Sequence, residues 1–146
     1  MVVTLDTNVI FQAFSSSRGA SFQIMRLMRR GELKMAISVP VYQEYQDVLS
    51  RKENKSQPGP QQSDIEVILQ FIAVVGQPTN IAFAWRPNLK DEADNMFVEL
   101  AIASSSQYLV TNNIRDFTQG ADLKNDDLRI VTPGAFLQDW RRVHGK

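Results

Sequence analysis

Short apolar runs alternate with longer amphipathic stretches along the 146-residue chain. Val2–Leu5, β-branched and apolar, predicts a buried strand. Asp6-Thr7-Asn8 follows as a helix start, and Val9, Ile10, Ala13 and Phe14 continue at helical spacing until Ser15-Ser16-Ser17 breaks the pattern. From Ala20 to Arg30, the residues Phe22, Ile24, Met25, Leu27 and Met28 predict an amphipathic helix with Arg26, Arg29 and Arg30 on its polar side. Met35–Val39 predicts a second strand. Pro40 then stands at the first position of a helix carrying Val41, Tyr45, Val48 and Leu49. Residues 52–63 are polar, contain Pro58-Gly59-Pro60, and read as a flexible loop. Beyond them the pattern predicts a helix over Ile65–Val75 ended by Gly76 and Pro78, a strand over Asn80–Ala84, and a helix over Asp91–Ala103. Strands at Tyr108–Thr111 and Leu128–Val131, a last helix at Pro133–Trp140 and a frayed tail at 141–146 complete the reading.

Strands alternating with helices require crossover connections, hence an α/β domain whose sheet is mainly parallel and covered on both faces. The length suits one domain, with no internal repeat and no interdomain linker. In open sheets of this kind the ligand crevice lies at the carboxyl ends of the strands, near the point where strand order reverses. Strand-end residues are therefore the ones to inspect.

Composition narrows the chemistry. There is no cysteine and one histidine, His144, which excludes disulfide scaffolds, zinc-thiolate sites, iron–sulfur clusters and cysteine nucleophiles, and disfavours a Ser-His-Asp triad. Sixteen Lys+Arg balance sixteen Asp+Glu, so net charge points to no polyanionic coat. No apolar run approaches a membrane span and the N-terminus lacks a signal-peptide pattern, which predicts a cytoplasmic protein. Carboxylates, hydroxyls and amides must carry any chemistry.

Two predicted strands end in polar clusters: Asp6-Thr7-Asn8, and Thr111-Asn112-Asn113 with Asp116 beyond. Glu44 sits early in a helix, and Asp91, Glu92 and Asp94 crowd another helix start. Each has a plainer reading. Asp6 and Asp94 suit helix caps, Glu44 a solvated helix face, and Asp116 a turn.

Taken together, these segments resemble the PIN-domain family of metal-dependent nucleases, closest to its branch of toxin components of bacterial toxin–antitoxin pairs (VapC-like). Asp6-Thr7-Asn8 resembles the opening motif. Ser38-Val39-Pro40 with Glu44-Tyr45 and Val48-Leu49 resembles the second, Asp91 and Asp94 through Ala101 the third, and Leu109 through Phe117 the fourth. Ile130-Val131-Thr132-Pro133 with Phe136-Leu137 resembles the usual ending. The resemblance implies a three-layer α/β/α PIN-like (5′-nuclease-like) fold with roughly five strands. It implies that Asp6, Glu44, Asp94 and Asp116 surround one or two Mg²⁺ or Mn²⁺ ions, supported by Thr7, Asn8, Thr111, Asn113 and Asp91. Many relatives carry an acid at the position of Asn113, so one ion is expected to be held more firmly than two. RNA as substrate, a small antitoxin whose basic residue covers the acidic crevice, and a homodimer through the helices at Ala20–Arg30 and Ile65–Val75 are further implications.

The physics is compatible with a cation. Four carboxylates brought within about 8 Å of one another would repel by about 2 kcal/mol per pair at an effective dielectric near 20, on the order of 10 kcal/mol in all. That is comparable with the whole stability of a domain. Oxygen ligands without His or Cys favour Mg²⁺ or Mn²⁺ over zinc. The expected reaction is phosphodiester hydrolysis by a metal-activated water, with Arg26, Arg30, Arg51 and Lys52 as candidates to guide the strand, alongside Arg29, Lys34 and Lys55. Phe11, Phe14 and Phe22 are expected in the core. Two alternatives remain at this point: a catalytically weak PIN-like module that binds RNA or protein, favoured by Asn113, and an aspartate-nucleophile phosphatase, disfavoured by Asn8 where a second acid is needed.

Overall fold

Consecutive buried residues in three short strands explain the architecture. Val3, Leu5, Met35, Ala36, Leu109 and Val110 are all fully buried, so their strands are covered on both faces. In the computed structural model, which describes residues 1–16, 18–53, 62–81, 92–118 and 128–145, they form the middle of one sheet. Strand β1 (Val2–Leu5) is central, β2 (Lys34–Ile37) and β3 (Gly76–Pro78) lie to one side, and β4 (Tyr108–Val110) and β5 (Arg129–Val131) to the other. Every pairing is parallel, with Val3 opposite both Met35 and Tyr108, and Leu5 opposite Val110.

Helices α1 (Thr7–Ala13), α2 (Ala20–Arg29), α3 (Val39–Glu53), α4 (Gln62–Val75), α5 (Glu92–Ala103), α6 (Ile114–Thr118) and α7 (Pro133–His144) connect and cover the strands. α2 packs on α1 and α7, while α3 packs on α4 and α5. This is the three-layer α/β/α arrangement expected from the sequence, with five parallel strands. The one polar residue inside β1 is satisfied internally: Thr4 bonds to Ser106 at 2.9 Å, and Ser106 to Ser104 at 2.7 Å.

The chain steps outward from β1 to β2 and β3, then returns across the sheet to β4 and β5. Strand order therefore reverses between β1 and β4, and a crevice opens beyond their carboxyl ends. Asp6 follows β1 directly and Thr111 follows β4 directly. The fold places both at the switch point.

Several boundaries differ from the sequence reading, each for a physical reason. The third strand is Gly76–Pro78, not Asn80–Ala84; residues 82–84 lie outside the described residues, and Asn80 and Ile81 are not in a strand. Pro78, which looked like a helix terminator, is tolerated because β3 is an edge strand. Helix α3 begins one residue before Pro40, capped by the Ser38 hydroxyl, which accepts from the Val41 amide at 3.3 Å. Asp116, for which a turn was the plainer alternative to a site role, lies on the short helix α6. The expected frayed tail is helical through His144: the His144 ring stacks on Trp140 at 3.6 Å, and Arg142 pairs with Asp139 at 3.1 Å. Gly145, at φ 72°, then ends α7 in the left-handed region. Most of the expected loop at 52–63 lies outside the described residues, although α3 reaches Glu53 and α4 starts at Gln62. No helix among the described residues is long and apolar enough to cross a membrane.

Gly76 joins α4 to β3 where no side chain fits. A Cβ there would lie 2.6 Å from the Ile72 carbonyl oxygen and 2.7 Å from Ile37 Cδ1. Gly76→Ala is expected to destabilise the domain by about 1–3 kcal/mol through overpacking, read as a lower urea midpoint with an unchanged slope.

Candidate active site

Asp6 is the residue on which the site is built. Its backbone amide continues the β1–β4 ladder, donating to the Val110 carbonyl at 3.0 Å, so the residue is fixed before its side chain is considered. It also stands at the N-cap of α1, with extended backbone angles, although its carboxylate makes no capping hydrogen bond. The carboxylate instead accepts a 2.8 Å hydrogen bond from the Thr111 hydroxyl. Thr111 Oγ1 in turn accepts from the Asn113 amide at 3.0 Å, and the Asp116 amide donates to the Asn113 carbonyl at 3.0 Å. One hydrogen-bonded chain thus joins the ends of the two central strands to α6.

A second anchor comes from beneath. Tyr45 is fully buried on α3, and its hydroxyl donates to the Leu5 carbonyl at 2.6 Å, one residue before Asp6. Its ring packs against Phe97 on α5, with centroids 5.9 Å apart. Tyr45 is the neighbour of Glu44, and Phe97 lies one turn beyond Asp94. A single side chain therefore ties together the segments that carry three of the predicted acids. Burial, then the Asp6 charge, push the Tyr45 phenol well above its ordinary pKa, so it remains a neutral donor.

Asp6, Glu44, Asp94 and Asp116 all line one cavity of about 490 Å³, with Thr7, Asn8 and Asn113 in the same wall. Asp6 is only 7% exposed, Glu44 and Asp94 are half-buried, and Asp116 is exposed. Burial raises the Asp6 carboxyl above its ordinary 3.8; the Thr111 bond and the nearby Thr7 and Asn8 amides oppose this, and the Asp116 charge adds to it. The site thus holds a desolvated carboxyl facing a second acid. Thr7 also lines the cavity, and its hydroxyl is buried without a hydrogen-bond partner among the described residues. Among the described residues no three acid or imidazole side chains stand as a ready-made ion cage. The donor set nevertheless fits a hydrated hard cation: oxygens only, negative, and one carboxylate poorly solvated.

The basic candidates divide. Arg51 lines the acid cavity. Arg26 and Arg29 flank a separate apolar cleft of about 210 Å³ with Phe14, Phe22, Met25 and Phe71, and Arg30 faces Glu32 at 3.9 Å. Lys34 is exposed at the start of β2. The side chain of Lys52, and all of Lys55 and Asp91, lie outside the described residues. Phe11 and Phe22 are half-buried, whereas Phe14, expected in the core, is 42% exposed at the rim of the apolar cleft. Val48, Met96 and Phe97 also line the acid cavity. Sequence spacing signals them only as apolar helix positions.

Two variants probe these assignments. Tyr45→Phe removes one hydroxyl and is expected to cost about 1–3 kcal/mol in chemical denaturation, because the buried Leu5 carbonyl loses its donor. Because the folded pKa of Asp6 is raised, the native state holds its proton to higher pH than the unfolded chain. Its contribution to stability therefore falls as pH rises from the unfolded value through the folded one, and stays lost above both. In EDTA, Asp6→Asn should match the wild type at low pH, where both side chains are neutral, and become the more stable protein as pH rises. Thermal melts across pH check this; a difference independent of pH contradicts it.

A search of curated protein sequences finds no match. Among solved structures, a crystal structure of VapBC2 from Rickettsia felis bound to a DNA fragment from their promoter aligns with a TM-score of 0.60 and 18% identity, covering 90% of this chain and 98% of that chain. At that identity the likeness establishes the fold. The PIN-domain family model matches residues 2–115, taking in Asp6, Glu44 and Asp94 and ending one residue before Asp116. With well over half its length matched, the chain belongs to the PIN-domain family.

Proposed function

We propose that the chain is a metal-dependent endoribonuclease, the toxin of a cytoplasmic toxin–antitoxin pair. The observation that carries the reading is the gathering of Asp6, Glu44, Asp94 and Asp116, from four separate segments, around one cavity at the switch point of the sheet. Asp6, Asp94 and Asp116 would hold Mg²⁺ or Mn²⁺, with Glu44 as a ligand through water and Asn113 able to add a neutral oxygen. One ion is favoured over two because Asn113 brings no charge. When bound, the cation supplies positive charge for the phosphate and lowers the pKa of the attacking water.

The chain's own residues do the rest. Thr111 holds the Asp6 carboxylate in one orientation, and Tyr45 keeps β1, α3 and α5 at fixed spacing. Glu44 orients the water and accepts its proton through a carboxylate oxygen. Water adds across one P–O ester bond: its oxygen joins phosphorus, and the departing ester oxygen leaves with a proton. Arg51, on the rim, attracts the phosphate backbone. The apolar cleft beside Phe14, Phe22 and Phe71 offers surface for a second copy of the chain, and the acid cavity takes the basic residue of a small antitoxin.

The test is cleavage of mixed single-stranded RNA with Mg²⁺, with Mn²⁺ and with EDTA, beside Asp6→Asn prepared identically. Metal-dependent cleavage reduced at least roughly 100-fold in Asp6→Asn is expected, the scale of losing a principal charge-stabilising group. Equal cleavage by both proteins, or none by either, contradicts the reading. Mn²⁺ bound without cleavage would favour the binding module.

A further inference from the structure

A second cavity, of about 390 Å³, lies beside the acid cavity and differs from it in chemistry. Among the described residues its walls carry amides, hydroxyls and glycines beside Ala20 and Pro133, with no carboxylate and no cation. Gln12 reaches it from α1 and Asn112 from the end of β4. Both connect to the acid site by one short step. Asn8, in the acid cavity, lies four residues before Gln12 on α1, hence on the same face and about 6 Å along the axis. Asn112 directly precedes Asn113, also in the acid cavity.

The two amides are locked in a defined orientation. Asn112 Nδ2 donates to Gln12 Oε1 at 2.7 Å, and the Ser21 hydroxyl donates to the same oxygen at 3.5 Å. Gln12 Oε1 thus accepts one short hydrogen bond and one long one. Gln12 Nε2 and Asn112 Oδ1 remain, a donor on one exposed residue and an acceptor on the other, both residues lining this cavity, with no hydrogen bond to either atom from the described residues. A nucleobase edge carries acceptors and donors that a free amide N–H and a free amide oxygen can meet, and an unpaired base offers that edge freely. The opposite wall has room: a Cβ on Gly134 would meet nothing within 4 Å, and one on Gly19 only the Ser16 hydroxyl at 3.9 Å.

We infer that this cavity is a base-reading subsite, in which the Gln12–Asn112 amide pair recognises the nucleobase of one unpaired nucleotide next to the phosphodiester held in the acid cavity. The inference rests on the nuclease reading and adds selectivity to it. The acid site takes any phosphodiester, because it addresses only phosphate. The amide pair discriminates, because a base with the wrong edge leaves its donor and acceptor unpaired. A gap of about 6 Å along α1 is of the order of one nucleotide step.

The test uses the full chain and a pool of single-stranded RNA with randomised sequence, cut positions being read by sequencing. Wild type, Gln12→Ala, Asn112→Ala and Gly134→Phe are compared, with Asp6→Asn as the blank. Gln12 and Asn112 are exposed and the Gly134 Cβ position is open, so folding is retained and is checked by circular dichroism. Wild type should prefer one base at one position beside the cut by roughly tenfold or more, the scale of a bidentate amide contact. That preference should collapse in all three variants. Replacing that base by an abasic site should slow the wild type by a similar factor and leave Gln12→Ala nearly indifferent. Metal-dependent cleavage with the same base distribution in wild type and variants overturns the subsite alone. No metal-dependent cleavage by the wild type overturns the nuclease reading, and the subsite with it.

Discussion

Asp6 lies 7% exposed at the end of the central strand, where water can supply only part of its carboxyl's hydration, and its surroundings are arranged around that fact. The Thr111 hydroxyl replaces some of the missing solvent, and the Asn113 amide fixes that hydroxyl in turn. Tyr45 holds the preceding carbonyl from below and is itself wedged against Phe97. The result is a rigid frame around a group whose charge is costly. Desolvation is the largest cause of its raised pKa, and the Asp116 charge adds to it. A site of this kind loses stability in favour of function, because a carboxylate kept away from water and near another acid has much to gain from a cation.

The parallel sheet makes this frame possible. Strand order reverses between β1 and β4, so the two turns that follow these strands diverge and leave a crevice between them. Four acids from distant parts of the chain reach that crevice, and so do the amides of Gln12 and Asn112 on its other flank. Two cavities of opposite character thus share the same pair of strand ends. One is negative and suited to a cation with its phosphate; the other, among the described residues, carries no charged side chain and offers amide groups.

Much of this was legible in the sequence because strong local patterns agreed with the global fold. Val2–Leu5 running into Asp6-Thr7-Asn8, and Tyr108–Val110 running into Thr111, mark buried strands that end in polar clusters. The motif order brought Glu44, Asp94 and Asp116 into the same reading. Less legible were features decided by tertiary contact. Gly76–Pro78 reads as helix punctuation, yet it pairs as an edge strand because Met35–Ile37 offers it a ladder. The end of α7 reads as a frayed tail, yet Asp139 gathers Arg129 and Arg142, and Trp140 receives His144. Phe14 has the spacing of a core residue but faces an apolar cleft. The Gln12–Asn112 pair spans 100 residues of sequence, and spacing carries no trace of it.

The central claim is that Asp6 is a desolvated carboxyl at the switch point whose natural counter-charge is a divalent cation. The most direct measurement is the titration of the Asp6 carboxyl carbon by NMR, first in EDTA and then with saturating Mg²⁺, with Asp6→Asn identifying the resonance. An apparent pKa above the ordinary value of 3.8 without the ion, falling when Mg²⁺ is added, is the predicted result. An ordinary pKa that Mg²⁺ leaves unchanged would contradict it.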